Sequence, residues 1–298
     1  MAKFTDYLKA FLLILILLKI TPPIIKSLKQ NWTENLESKN QVGCIIIDEQ
    51  ICSSQCYCNY LQKFFKDPEI KAILLKIDSP GGATGSTQAI ALEIAQLKKE
   101  YPKPIVAYSE NICTSGAYYV AVMCDYIVTT GSCVVGGIGA KLATQFKIKQ
   151  LLKEYKIETL SISAGAFKNS LDPFSELTDE QKEMLQHLCN DTYEQFSCDV
   201  AKQRHLNIHQ KNDWANGKIF NGNQALLLKL IDATGNESTA LDYIKQNILH
   251  SDREIVLIKS CNPSLWQRLF QQTEENDTNF SLSESFWKGL IKALKTTL

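Results

Sequence analysis

The 298-residue chain is 45% hydrophobic and 21% charged, a globular composition with apolar side chains enough for one large domain or two small ones. Lys plus Arg equals Asp plus Glu at 32 each, so no basic excess exists to draw nucleic acid phosphates, and nucleic-acid binding is not expected. Ten cysteines scatter through predicted strands and helices, which excludes a small disulfide scaffold and leads us to expect that most are buried apolar residues.

The chain opens with an unbroken apolar run over 11–18, preceded by Lys3 and Lys9 and followed by Lys19 and Pro22-Pro23. A membrane crossing needs about 20 mostly apolar residues, which 7–25 supplies if Lys9 and Lys19 snorkel to the headgroups. No small-x-small cleavage pattern follows, so residues 1–28 read as an uncleaved signal anchor or membrane helix, with a buried or amphipathic helix as the alternative. Residues 29–41 form a polar linker, and the folded body runs over 42–249.

Short apolar runs bounded by turn residues predict strands over 43–48, 72–78, 105–109 and 126–130. Between and after them fall helices over 53–65, 84–100, from Ser115 onward, 147–155 and 178–204, with a glycine-rich turn at 136–139 and a further strand over 158–162. Residues 250–298 read as a strand and an amphipathic helical extension carrying Leu265, Leu269, Phe286, Leu290 and Leu294. Strands alternating with helices imply an α/β fold with a mostly parallel sheet flanked by helices, whose ligand sites lie beyond the carboxyl ends of the strands.

Several junctions carry residues suited to chemistry. Ser115 follows a strand, precedes Gly116 and opens a helix, so it is either a helix N-cap or a nucleophile projecting from a sharp turn. Gly81 and Gly82 follow Pro80 and offer unobstructed amides for an oxyanion, or simply a tight turn. The four histidines, His187, His205, His209 and His250, lie far downstream outside any glycine-rich context, and Cys52, Cys56 and Cys58 lack the further ligands of a zinc site, so no metal and no cofactor are expected. A lysine replaces histidine as base only when neutral, and with a reference value near about 10.4 it needs roughly 3–5 kcal/mol of desolvation to work near neutral pH. Lys168, between Ala164, Ala166, Phe167 and Leu171, has the apolar neighbours for this, although a surface loop reads equally well from its own segment.

The ordered set IDSPGG (77–82), TSGAYYVA (114–121), GGIGA (136–140) and SAGAFKNSLDPF (163–174) resembles the signal peptide peptidase A family, serine peptidase family S49, over about 42–244. The resemblance implies a Clp protease/crotonase-like fold and a membrane-anchored serine endopeptidase. In it Ser115 is the nucleophile, Lys168 the general base, and Gly82 and Gly116 supply the oxyanion amides. It further implies peptide or unfolded-protein substrates such as cleaved signal peptides, a ring-like homo-oligomer that joins serine and lysine from adjacent subunits, and a single-pass place in a bacterial inner membrane with the body outside the cytoplasm. Two positions depart from the family pattern: Ala117 replaces a second glycine, and Gly137 replaces a serine whose hydroxyl would help hold the lysine, a role left to Ser132 or Ser170. A catalytically weakened scaffold of the same fold and a crotonase-like acyl-CoA enzyme are the other readings, the latter lacking a placed pair of glutamates.

Overall fold

A computed structural model describes residues 40–260. The expected anchor over 1–28 and the amphipathic extension beyond 260 lie outside the described residues, among which no helix is long and apolar enough to cross a membrane.

Three apolar strands form the centre of the body. β1 (Asn40–Ile47), β2 (Ile70–Ser79) and β3 (Ile105–Thr114) pair in parallel, with Ile47 opposite Ile77 and Ile73 opposite Ile105. Parallel neighbours need crossovers, and α1 (Gln55–Lys66) and α2 (Thr84–Glu100) supply them. Alternate strand residues feed two cores. Ile45, Ile47, Ile73, Leu75, Ile77 and Ala107 join the larger one with α1 and α2. Val42, Cys44, Leu74 and Val106 join the smaller with Ala240 and Ile244 from the opposite face. Burial on both faces explains why these strands read as continuous apolar runs rather than as alternating ones.

β3 extends five residues beyond its expected end because it serves two partners. Val106–Ser109 pair with β4 (Tyr126–Thr129), and Ile112–Thr114 pair with β5 (Val134–Gly136), which occupies the start of the expected glycine-rich turn. α3 (Gly116–Ala121) lies between β3 and β4, and after β5 come α4 (Lys149–Glu154), α5 (Asp179–Arg204), α6 (Lys211–Trp214), β6 (Ile219–Asn221), α7 (Gly222–Leu227), β7 (Ala233–Thr234), α8 (Glu237–Tyr243) and β8 (Ile255–Lys259). The strand order is β6-β5-β3-β2-β1-β8, with β4 beside β3 and β7, and β5–β6 is antiparallel. The result is the expected α/β body with a mostly parallel sheet between helices.

Two expectations are corrected. The segment 158–162 forms no strand: Leu160 and Ile162 are 88% and 90% exposed, and an alternating apolar pattern without a sheet edge to pair with stays irregular. The nine described cysteines are all free thiols, but only Cys44, Cys113, Cys124 and Cys133 are buried, and burial pushes the last three thiols up.

Thr178 begins α5 with a capping box: its hydroxyl accepts the Gln181 N–H while the Gln181 side chain accepts the Thr178 N–H. The carboxyl half of α5 packs Phe196, Val200 and Ala201 into the larger core, and its last residue, Arg204, grips Asp232 through two 2.9 Å hydrogen bonds. The same carboxylate accepts the Ile127 N–H at 2.7 Å, so one ion pair joins α5 to β4. Its side chains are only 10% and 25% exposed, and removing one partner strands the other. Asp232→Ala is expected to cost about 2–3 kcal/mol in urea denaturation, with Arg204→Ala losing no more.

Candidate active site

Ser115 stands where β3 turns into α3, with φ 53 and ψ −128, values that a residue with a side chain adopts only under strain. The surrounding main chain holds it there. Its N–H donates to the Gly136 carbonyl at 2.8 Å, and its carbonyl accepts the Tyr119 N–H at 2.9 Å. Although Ser115 occupies the N-cap position of α3, its side chain makes no capping bond, so the capping role open from sequence is not the one it plays.

The Ser79–Ala83 loop lies against this turn. Ser79 donates its hydroxyl to the Glu49 carbonyl at 2.6 Å and accepts the Gly81 N–H at 3.2 Å. The Ile51 N–H donates to the Gly81 carbonyl and the Ala83 N–H to the Ile51 carbonyl, both at 2.8 Å. Thr114 closes the contact by donating its hydroxyl to the Pro80 carbonyl at 3.3 Å. Gly81 has φ +100, and a Cβ on Gly82 would lie 2.1 Å from the Ile51 carbonyl oxygen, so neither position admits another residue without moving the loop.

Ser115, Gly82 and Gly116 line one cavity of about 130 Å3, together with Thr84, Thr87 and Gln88 of α2, Tyr119 of α3, Gly139, and Thr192, Gln195 and Phe196 of α5. Among the described residues neither the Gly82 nor the Gly116 amide donates to a protein acceptor, and the Ser115 hydroxyl is unbonded. A hydroxyl beside two unclaimed donors is the arrangement that acyl transfer requires. The Tyr119 phenol donates to Asp199 at 2.5 Å and its ring meets Phe196 edge-on; burial first, then the Asp199 carboxylate, pushes the phenol up. Among the described residues no charged side chain lines the cavity. The α2 and α5 contributions were not found from sequence, because Gln195 and Thr192 carry no local motif and Phe196 is indistinguishable there from a core residue.

Lys168 is brought elsewhere. It is exposed, in a turn where its N–H donates to the Gly165 carbonyl at 3.1 Å, and it does not line the Ser115 cavity. The turn is attached to the start of α5, where Gln181 donates to the Ala166 carbonyl, whereas the cavity-lining residues of α5 begin eleven residues later at Thr192. At 1.5 Å per residue Gln181 and Thr192 are about 16 Å apart along the axis. None of the four histidines lines the cavity either. Ser170 is buried but gives its hydroxyl to the Phe167 carbonyl at 2.7 Å, and Ser132 is exposed, so neither supplies a hydroxyl at the cavity.

The sequence profile of peptidase family S49 matches residues 97–249. Three similar proteins bear names that mark them as putative. One is a protease of Methanocaldococcus jannaschii, 36% identical over 71% of this chain and 67% of its own length. Another is a signal peptide peptidase of Enterococcus faecium, 29% identical over 69% of this chain and 59% of its own. The third is a protease of Synechocystis, 34% identical over 60% and 63%. The chain thus spans under two thirds of the length of the last two.

Gly137 bears on the missing family serine. It has φ +63, donates its N–H to the Lys218 carbonyl at 2.7 Å, and a Cβ there would sit 3.2 Å from the Ser115 nitrogen. A serine in this place takes a left-handed conformation and crowds the Ser115 turn. Gly137→Ser is expected to lower stability by about 1 kcal/mol, read as a fall in Tm, rather than to raise any hydrolytic rate.

Proposed function

Because the chain belongs to peptidase family S49, we propose that it is a serine peptidase in which Ser115 attacks a peptide carbonyl and Lys168 of a neighbouring copy accepts the proton. The observation that carries this reading is the single cavity in which the strained Ser115 and the unclaimed Gly82 and Gly116 amides meet. Attack forms the bond from Ser115 Oγ to the carbonyl carbon, and the two amides receive the developing oxyanion. The lysine ammonium then returns the proton to the leaving amine. Water, deprotonated by the same lysine, releases the acyl group and regenerates Ser115.

An exposed Lys168 outside its own chain's cavity is what supports assembly as part of the mechanism. The arm that carries it also exposes Phe146, Tyr155, Ile157, Leu160 and Ile162, an apolar surface of the kind that a second copy would cover. Covering it would remove water from the lysine, which a neutral amine needs. A ring-like homo-oligomer satisfies both requirements. The substrates in this reading are unfolded or apolar peptide segments, with cleaved signal peptides suggested by the name of the Enterococcus faecium relative. The N-terminal run over 11–18 would tether the body to a bacterial inner membrane, on its outer side. A scaffold that keeps the fold without the activity is the second reading, favoured by Gly137.

Hydrolysis of an unfolded protein and of apolar peptides by the full chain tests the proposal. Ser115→Ala and Lys168→Ala should each be inactive at unchanged oligomer size. Mixing the two inactive variants after dissociation should restore roughly a quarter of the activity, the share of interfaces that pair an intact serine with an intact lysine. Activity in either single variant sinks the dyad, no recovery on mixing sinks the shared site, and an assembled, inactive wild type favours the scaffold.

A further inference from the structure

Gln181 is the one buried residue among positions 171–190, at 8% exposure, in a stretch otherwise exposed or half-buried. A polar side chain held inside such a surface calls for partners, and both ends of its amide have one. Oε1 accepts the Thr178 N–H at 3.2 Å, and Nε2 donates to the Ala166 carbonyl at 2.7 Å. The first partner is a donor and the second an acceptor, so only one orientation of the amide satisfies both.

The second bond reaches the segment bearing Lys168. In that segment the Gly165 carbonyl is taken by the Lys168 N–H, and the Phe167 carbonyl by both the N–H and the hydroxyl of Ser170. Those bonds close within the segment. Among the described residues the Gln181–Ala166 bond is the one that ties the 165–168 turn to a helix, and that helix is anchored in the core by Phe196, Val200 and the Arg204–Asp232 pair. We propose that Gln181 is a positioning residue for the peptidase reaction, fixing the main chain two residues before Lys168 to the rigid frame of α5. The inference rests on the reading of Lys168 as general base.

The residue type makes the claim specific. Glutamate completes a capping box as well as glutamine does, but it has no N–H to give the Ala166 carbonyl. Gln181→Glu therefore separates the cap from the tether, and Thr178→Ala does the converse by removing the cap hydroxyl while leaving the tether.

Peptide hydrolysis by the full, assembled chain is the measurement, with Tm and oligomer size recorded alongside. Gln181→Glu should lower kcat about tenfold with KM changed less than twofold and oligomer size held, since small displacements of a reacting group cost rate rather than binding. Thr178→Ala should lower Tm and leave kcat near wild type. In a Lys168→Ala background Gln181→Glu should add nothing to the loss of residual Ser115 acylation by a fluorophosphonate. Wild-type kcat in Gln181→Glu, or an equal kcat loss in Thr178→Ala, overturns the proposal. If Gln181→Glu fails to assemble, Gln181→Met, uncharged and of similar length, removes both bonds of the amide and is read against Thr178→Ala, a kcat loss beyond that of Thr178→Ala being expected, and failure of both Gln181 variants assigns Gln181 to stability and likewise overturns it. A fully active Lys168→Ala is a different result, which removes the underlying dyad rather than the tether.

Discussion

A Cβ on Gly82 would stand 2.1 Å from the Ile51 carbonyl oxygen, and one on Gly81 2.6 Å from the Gly116 nitrogen, so the Ser79–Ala83 loop meets its neighbours, the Ser115 turn among them, main chain against main chain. Everything else at the cavity follows from that contact. The Ile51 bonds on either side of Gly82 fix the loop to the end of β1, while the Gly136 carbonyl fixes Ser115 to β5. The strained Ser115 conformation persists because neighbours on three sides specify it. The sheet beneath contributes by rigidity: β1, β2 and β3 are buried on both faces, so their carboxyl ends present these loops in fixed relation.

The helix α5 divides into two halves with different duties. Its carboxyl half is core, closing the cavity with Gln195 and Phe196 and anchored at Arg204. Its amino half extends into solvent and carries the Lys168 turn. One rod thus connects a region of high stability with one whose own apolar contacts are few, so the amino half is expected to open locally before the carboxyl half. In the proposed reading, a single chain brings Ser115, Gly82 and Gly116 to one cavity and leaves Lys168 outside it.

Much of this was legible from the residues alone. The strands with two-sided burial announced themselves as apolar runs, and the ranges expected for α2 and α5, 84–100 and 178–204, match the helices found. Ser115, Gly82 and Gly116 were placed together by the family resemblance, since each local segment alone read equally as a cap or a tight turn, and the three do line one cavity. Three things left no such mark. The pairing of β3 with two successive partners depends on tertiary neighbours, so its second half was read as loop. The α5 wall of the cavity comes from more than 70 residues downstream of Ser115 with no local motif. The alternating segment 158–162 looked like a strand because periodicity describes a face, and nothing in the chain says whether an edge exists to receive it.

The rod also constrains how the protein can change over evolutionary time. Side chains between Glu183 and Asn190 are exposed or half-buried and make few commitments, so their identities are free to drift. Their number is not. Each residue inserted or deleted there would rotate the lysine turn by about 100° around the helix axis and shift it by about 1.5 Å relative to the cavity wall. A stretch that tolerates almost any helix-forming sequence is therefore intolerant of any change in length short of whole turns, a pattern opposite to that of ordinary surface segments.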